Sequence, residues 1–437
     1  MLDTDNKEVR RLLLCGNFGL EKEMLRVTAD GMMAHSAHPF AADEPNITRD
    51  FCENQVEINT PIFKSAGEVV DNLAQLTNRI EITLSHNTPR EWLWQYSNPP
   101  YLKGDDDIPV ARFSGEQMAK TTYRNYLSNR YGRHFMTLSG IHFNYSLSGD
   151  LLRANYNALT GLTVTKGTET EDYRRYQDRL YLDMAANLVE DSWIMTVLTA
   201  ASPVADGSLF ALKEMGTDLF CGIASLRCSK LGYWNDFTPV LDYTGTDAYA
   251  DSVQRYVDCG LIAAPSELYY PIRLKPRGEN TLSSLRRNGV NHIELRMIDL
   301  NPLRNEGVDL HDVIFAQLLT VWDAAKPAPA LSADRQILCV ANFKSAALYD
   351  LDGAAIVKAD GTRVSLGDAA RELLDDMRSF FVGTGAPDSV IEVIDWQRQK
   401  IDDPAHYRYA DIVRQQFAHG VVARMMDNFR KEGGENV

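Results

Sequence analysis

Residues 19–31 read GLEKEMLRVTADG. Glu21 and Glu23 stand two apart, hemmed by Leu20, Met24, Leu25 and Val27. Side chains of an extended strand alternate with period two, so both carboxylates point to one face. A carboxylate in an apolar run is strongly disfavoured in the interior unless a partner compensates it. What lies beside this acidic face therefore decides the fold.

Three further stretches have the same character. In NQVEIN (54–59), Val56 and Ile58 face one way and Gln55, Glu57 and Asn59 the other. In GIHFNYSL (140–147), Ile141, Phe143, Tyr145 and Leu147 alternate with His142, Asn144 and Ser146. In NHIELRMID (291–299), Ile293, Leu295 and Met297 alternate with His292, Glu294 and Arg296. Half-buried antiparallel strands usually carry a mixed, solvated polar face. Here the polar faces are rich in acids and amides, carry two His and an Arg, and contain no lysine. That pattern suits a concave sheet lined for metal ions and anions. The alternative is four unrelated wet faces.

Oxygen-rich clusters of this kind suit Mg²⁺, and one imidazole among carboxylates is compatible with Mg²⁺ or Mn²⁺. Empty, such a cluster would repel itself, since neighbouring carboxylates disfavour joint ionisation. Cations relieve the repulsion and let an anionic polyphosphate approach. Glycine-rich phosphate loops are missing: the sequence has no G-x-x-x-x-G-K-[ST] and no G-x-G-x-x-G before a helix. It has no G-x-S-x-G nucleophile elbow either. A second set of residues suits anionic and amino-acid ligands. SLRCSKLGYW places Arg227 and Tyr233 on a loop, ELYYPIRLKPR groups Tyr269 with Arg273 and Lys275, and TTYRNYLSNRYG groups Tyr123, Arg124 and Tyr126. Arginine forks grip carboxylates and phosphates, and tyrosine offers a hydroxyl on an apolar plate.

Helical spacing surrounds these strands. Ser65 with Glu68 forms a capping-box pattern ahead of Val69, Leu73, Leu76, Ile80 and Leu84. Further helices are expected over Tyr173–Thr199, Leu310–Asp323, Gly367–Phe381 and about Ala405–Arg430, the last interrupted by Gly420. The chain divides into a main portion, residues 1–325, and a helical portion, 326–437, packed on the same domain.

With 437 residues, 44% hydrophobic and 24% charged, the composition is that of a soluble globular protein. A formal charge of −15 argues against nucleic acid as a partner. The six cysteines show no CxxC spacing and do not read as a disulfide framework. No stretch is apolar enough for a signal segment or a membrane span, so no membrane partner and a cytoplasmic address are expected. Oligomeric state is not legible.

GLEKEMLRV, ITRDFCENQVEINTP, TTYRNYLSNRYG, LSGIHFNYSL, SLRCSKLGYW, ELYYPIR and GVNHIELRMIDLNPL occur in this order. Together they resemble the bacterial glutamate–cysteine ligases, both the enterobacterial monofunctional form and the N-terminal part of the bifunctional glutathione synthetases. The resemblance covers about residues 16 to 325. It implies an α+β, glutamine-synthetase-like fold: a curved antiparallel sheet, a partial barrel, with outer helices. It implies ATP with two or three Mg²⁺ ions (Mn²⁺ possible), and ligation of the γ-carboxyl of L-glutamate to the amine of L-cysteine.

Position by position, the resemblance implies metal ligands at Glu21, Glu23, Asp50, Glu57, His142 and Glu294. It implies a substrate-contacting arginine at Arg227, and Arg296 meeting the transferring phosphoryl group or the intermediate. Arg227, Glu294 and Arg296 form the expected catalytic set. Arg273 and Lys275 are the expected cofactor contacts. Tyr123, Tyr233, Tyr269, Phe51, Leu127 and Met136 are the expected substrate contacts. Met136 stands where the enterobacterial enzyme has a glutamine, and SNPPY (97–101) departs from the family segment, which leaves the acceptor amine open. The chain ends without an ATP-grasp domain, so it is expected to make the dipeptide and not glutathione. A γ-glutamyl ligase with another acceptor, and a non-catalytic relative that binds metal or nucleotide, remain the alternatives.

Overall fold

The computed structural model describes residues 1–210 and 218–417, together with Gly420 and Met425. Eleven strands occur among these residues: β1 (Gly16–Thr28), β2 (Ile47–Arg49), β3 (Gln55–Asn59), β4 (Glu91–Trp94), β5 (Gly140–Leu147), β6 (Val204–Asp206), β7 (Asp218–Phe220), β8 (Ile272–Pro276), β9 (Val290–Asp299), β10 (Ala355–Val357) and β11 (Arg363–Ser365). Seven of them form one antiparallel sheet in the order β2-β3-β1-β5-β9-β8, with β4 also paired to β1. The opening stretch is thus the central strand of the sheet. The sheet curves without closing, and β2 and β8 are its two edges.

Period-two alternation sorts the side chains as the sequence predicts. Leu20, Met24, Val56, Ile58, Ile141, Phe143, Tyr145, Ile293 and Leu295 join one large buried cluster on the convex face. The helices Ala66–Ser85, Glu171–Asp191, Trp193–Thr199 and Leu310–Ala325 pack against this side. The first starts at Ser65, whose hydroxyl accepts from the Glu68 N–H while Glu68 caps Ser65 in return. Two cations interrupt the apolar face. Arg26 pairs with Glu91 at 2.7 Å, both fully buried. Lys22 is buried among neutral oxygens, 3.2 Å from Thr77 Oγ1, 3.1 Å from Gln95 Oε1 and 3.2 Å from the Asn305 carbonyl. Burial pulls its ammonium down to about 7.

The expected helix from Tyr173 to Thr199 is two helices, Glu171–Asp191 and Trp193–Thr199. At the joint Met195 N–H bonds the Ser192 carbonyl three residues back, a tighter turn that breaks the four-residue ladder. The expected helix near 405–430 begins as two short ones, Pro404–Tyr407 and Tyr409–Gln416. Its remainder lies outside the described residues. The large buried cluster runs on through Leu374, Met377, Phe381, Val393 and Ile401, so residues on both sides of 325 share one core. A buried ion pair, Lys400 to Asp312 at 2.6 Å, ties them as well. No helix among the described residues is long and apolar enough to cross a membrane.

Candidate metal and substrate site

Pairing across the sheet assembles the polar residues. Glu21 stands opposite Asn59 on β3 and His142 on β5. Glu294 stands opposite Asn144 on β5 and Arg273 on β8. Directly opposed residues share a face, so these side chains line one basin. Between β5 and β9 the register slips: Ile141 pairs with Ile298 but Phe143 with Leu295. His142 therefore faces two residues, Arg296 and Met297. This bulge brings Arg296 Nη1 to 3.4 Å from His142 Nδ1 and 2.9 Å from Glu294 Oε1.

Glu21, His142 and Glu294 form the first corner, their ligand atoms all within 4.8 Å of one another. His142 Nδ1 lies 2.9 Å from Glu21 Oε2, and Asn144 Nδ2 donates to Glu21 Oε1 at 3.1 Å. Lys275 Nζ lies 3.2 Å from Glu294 Oε1. Burial alone would raise both carboxylates. Arg296, Lys275, His142 and Arg273 instead hold Glu294 well below the usual range, and the His142 hydrogen bond lowers Glu21. Burial and the Arg296 charge lower His142, favouring the neutral imidazole that binds metals. The second oxygen of Glu294 is buried without a hydrogen-bond partner.

Glu23, Asp50 and Glu57 lie near one another at a second corner, although among the described residues only Glu21, His142 and Glu294 bring three ligand atoms within 4.8 Å of one another. Glu23 opposes Glu57 directly across β1–β3. The Gly140 N–H donates to Glu23 Oε2 at 3.2 Å, and Arg124 Nη2 lies 3.9 Å from Asp50 Oδ1. Compensation is much thinner here. Burial and the Asp50 charge push Glu23 up to about 8, and burial with the Asp50, Glu21 and Glu23 charges lifts Glu57 well above its ordinary value. The donor set is carboxylate oxygens plus one imidazole, with an unsatisfied buried oxygen in one corner and mutually repelling acids in the other. These residues fit hard divalent cations.

The substrate-type residues border the same basin. Arg227 lies against Gly140: a Cβ there would meet Arg227 Cζ at 2.3 Å, so a side chain at this position would displace the guanidinium. Arg227, Tyr233, Tyr269 and Arg296 line one small cavity. The Tyr233 and Tyr269 rings meet edge to face at 4.7 Å, and the Tyr269 hydroxyl is buried without a partner. Phe51, Leu127 and Met136 share one buried apolar cluster, with Tyr123 and Tyr233 packed on it. Arg273 spends one nitrogen on the Ser266 and Leu268 carbonyls, a structural duty in addition to any contact with a cofactor. On the other side of Glu21 opens a cavity of about 170 Å³ lined by Asn17, Asn59, Asn144, Ser146 and His292. A larger one, about 610 Å³, lies between Arg179, Leu241, Arg255 and Leu331 and holds none of the candidate ligands.

The model of the glutamate–cysteine ligase family matches residues 2–260 and 237–346. The chain belongs to the glutamate–cysteine ligase family. It is 35% identical over 436 residues to a bifunctional glutathione-biosynthesis protein of Listeria innocua, covering 97% of this chain and 55% of that protein. The chain thus spans about half the length of such relatives. Against a glutamate–cysteine ligase of Clostridium acetobutylicum it is 30% identical over 412 residues, covering 83% of each. The fold is that of the Francisella tularensis glutamate–cysteine ligase solved with AMP (TM-score 0.81, 24% identity, 95% of this chain and 88% of that one). A curved antiparallel sheet with outer helices is accordingly the family's architecture.

Asn144 was not among the predicted site residues, although its period-two relation to His142 placed it on the ligand face. Lys22, between the two glutamates, carried no signal for its buried position. The bulge that turns Arg296 toward His142 has no signature in the sequence either.

Proposed function

We propose that this chain uses ATP to activate the γ-carboxyl of L-glutamate and transfers the γ-glutamyl group to the amine of L-cysteine. The observation that carries the reading is the Glu21–His142–Glu294 corner with Arg296 braced beside it, in a chain of this family. Glu21, His142 and Glu294 would hold one divalent ion, and Glu23, Asp50 and Glu57 another. Bound there, such ions neutralise polyphosphate charge and polarise phosphoryl oxygens.

The chain's own residues do the rest. The amide-lined cavity bordered by Glu21 suits the nucleoside of ATP, to which Asn17, Asn59, Asn144 and Ser146 can offer hydrogen bonds. Lys275 and Arg296 supply fixed positive charge where negative charge gathers on the transferring phosphoryl group. A glutamate carboxylate oxygen attacks the γ-phosphorus, the bond to ADP breaks, and an acyl phosphate forms. The amine then attacks the acyl carbon, loses a proton, and phosphate leaves. Arg227, with Tyr233 and Tyr269, suits a substrate carboxylate at the pocket wall. The apolar cluster of Phe51, Leu127 and Met136 excludes water, which would otherwise hydrolyse the acyl phosphate. No enzyme nucleophile is required. The six cysteines are unpaired, in keeping with a cytoplasmic site of action.

Glutamate-dependent phosphate release with a panel of amines tests the reading. Cysteine should rank first in kcat/KM, and excess chelator should abolish release until Mg²⁺ is restored. A higher rank for another amine would move the acceptor assignment, for which buried Met136 is the structural motive. Full activity in chelator would remove the metal basin from the mechanism.

A further inference from the structure

The open side of the sheet, between edges β2 and β8, is spanned by the helix Met118–Tyr131. Midway along it Arg124 donates to the Asp50 carbonyl and lies 3.5 Å from that of Arg49, the last residue of β2. Its C-terminal half meets Glu267, five residues before β8 begins. Glu267 is fully buried. Its Oε1 accepts from the Tyr131 hydroxyl at 2.8 Å and the Tyr126 hydroxyl at 3.3 Å, and lies 3.2 Å from Arg130 Nε. Its Oε2 accepts from the Ala263 N–H at 2.6 Å. Of its side chains only Leu127 is fully buried, with Tyr123, Tyr126 and Tyr131 half-buried against the same apolar cluster. Polar contacts complete the placement of the helix, and Glu267 provides the densest set.

The same residue reaches the tyrosine wall, by its main-chain carbonyl through Asn235 and by its carboxylate through Tyr131. Asn235 donates to the Glu267 carbonyl at 2.9 Å and to the Tyr131 hydroxyl at 3.1 Å, and it accepts from the Tyr269 N–H at 2.8 Å. The Tyr131 ring meets Tyr269 edge to face at 5.4 Å, and Tyr269 in turn meets Tyr233. The three segments that carry Tyr123, Tyr233 and Tyr269 therefore converge on one buried acid.

We propose that Glu267 is a positioning residue that latches the helix Met118–Tyr131 across the open side of the sheet and so sets the tyrosine wall of the amino-acid pocket. The proposal rests on the reading of that pocket as the amino-acid site, and its test has one arm independent of turnover. Glu267→Gln should raise KM for an amino-acid substrate about tenfold, the size expected for losing one charge-assisted hydrogen bond. KM for ATP should stay within about twofold, because none of the side chains bonded to the Glu267 carboxylate lines the amide-lined cavity. Hydrogen exchange of wild type and variant, without substrates, should show residues 118–131 exchanging about tenfold faster in the variant, with β1 and β5 unchanged. Unchanged exchange in 118–131, or an equal rise in both KM values, overturns the latch. If wild type releases no phosphate with any amine, the ligase reading fails, and the exchange arm still decides the latch. Tyr131→Phe removes one donor to Glu267 without disturbing the buried charge. It should shift both readouts in the same direction by a smaller factor, and it serves if Glu267→Gln does not fold.

Discussion

The basin has two corners built from the same residue types, and they differ in how their charge is met. At the Glu21–His142–Glu294 corner, Arg296 and Lys275 lie within 3.2 Å of Glu294, and the carboxylates stay ionised. At the Glu23–Asp50–Glu57 corner two glutamates oppose each other, and burial with mutual repulsion drives both toward the protonated form. The first corner is preorganised by the protein. At the second, Arg227 and Arg296 offset the burial of Glu23 only in part. One wall is a fixed electrostatic frame and the other responds to its ligands.

The largest expected effect breaks the first corner. Glu294→Gln removes the charge on which Arg296 and Lys275 are balanced, and should lower kcat at least about a thousandfold. Phosphate release at saturating ATP and glutamate checks it, and retention of a tenth of the activity would remove Glu294 from the mechanism. Breaking the second corner should instead appear as a metal requirement. Glu57→Gln should raise the Mg²⁺ concentration for half-maximal activity by about 10–100-fold, with a smaller loss of kcat at saturating Mg²⁺. Equal kcat losses in the two variants would erase the distinction between the corners.

The contrast also has a sign in stability. Unfolded, Glu23 ionises near its ordinary value of 4.5; folded and metal-free, it ionises only near 8. Between these values the folded state holds the extra proton, so this group's stabilising contribution is lost as pH rises. Glu294 and Glu21 are shifted the other way, and their contributions are lost only as pH falls below the ordinary carboxylate value. In chelator, the stability advantage of Glu23→Gln over wild type should widen from pH 5 to 7 by a few degrees in Tm, and Mg²⁺ should close it. A gap independent of pH would mean that Glu23 ionises normally. The smallest effect concerns the acceptor side. Met136→Gln, inside the apolar cluster, should change kcat/KM for cysteine by about tenfold or less and leave KM for ATP unaltered. A hundredfold loss would make Met136 a direct determinant of the acceptor.

Much of this was legible because strands alternate with period two. Val56 and Ile58 against Glu57, or Ile141 and Phe143 against His142, announce which side meets the core and which meets the basin. The capping box at Ser65 and the apolar spacing after it fixed a helix in the same local way. The interruption at Ser192 was not legible, since no glycine or proline stands between Tyr173 and Thr199 to mark a break.

The sequence by itself determined the faces of the strands and the kinds of group on them, because side-chain alternation is a local property of the extended backbone. It also determined the family, through seven motifs in order. Tertiary structure alone decided which carboxylates share a corner, because register depends on pairing between residues as far apart in sequence as Glu23 and Glu57 or Asn144 and Glu294. It turned Arg296 toward His142 through a bulge, buried Glu23 and Glu57 beside Asp50, and gathered two tyrosines and an arginine around Glu267. None of these has a local signature, since each depends on which neighbours the fold supplies.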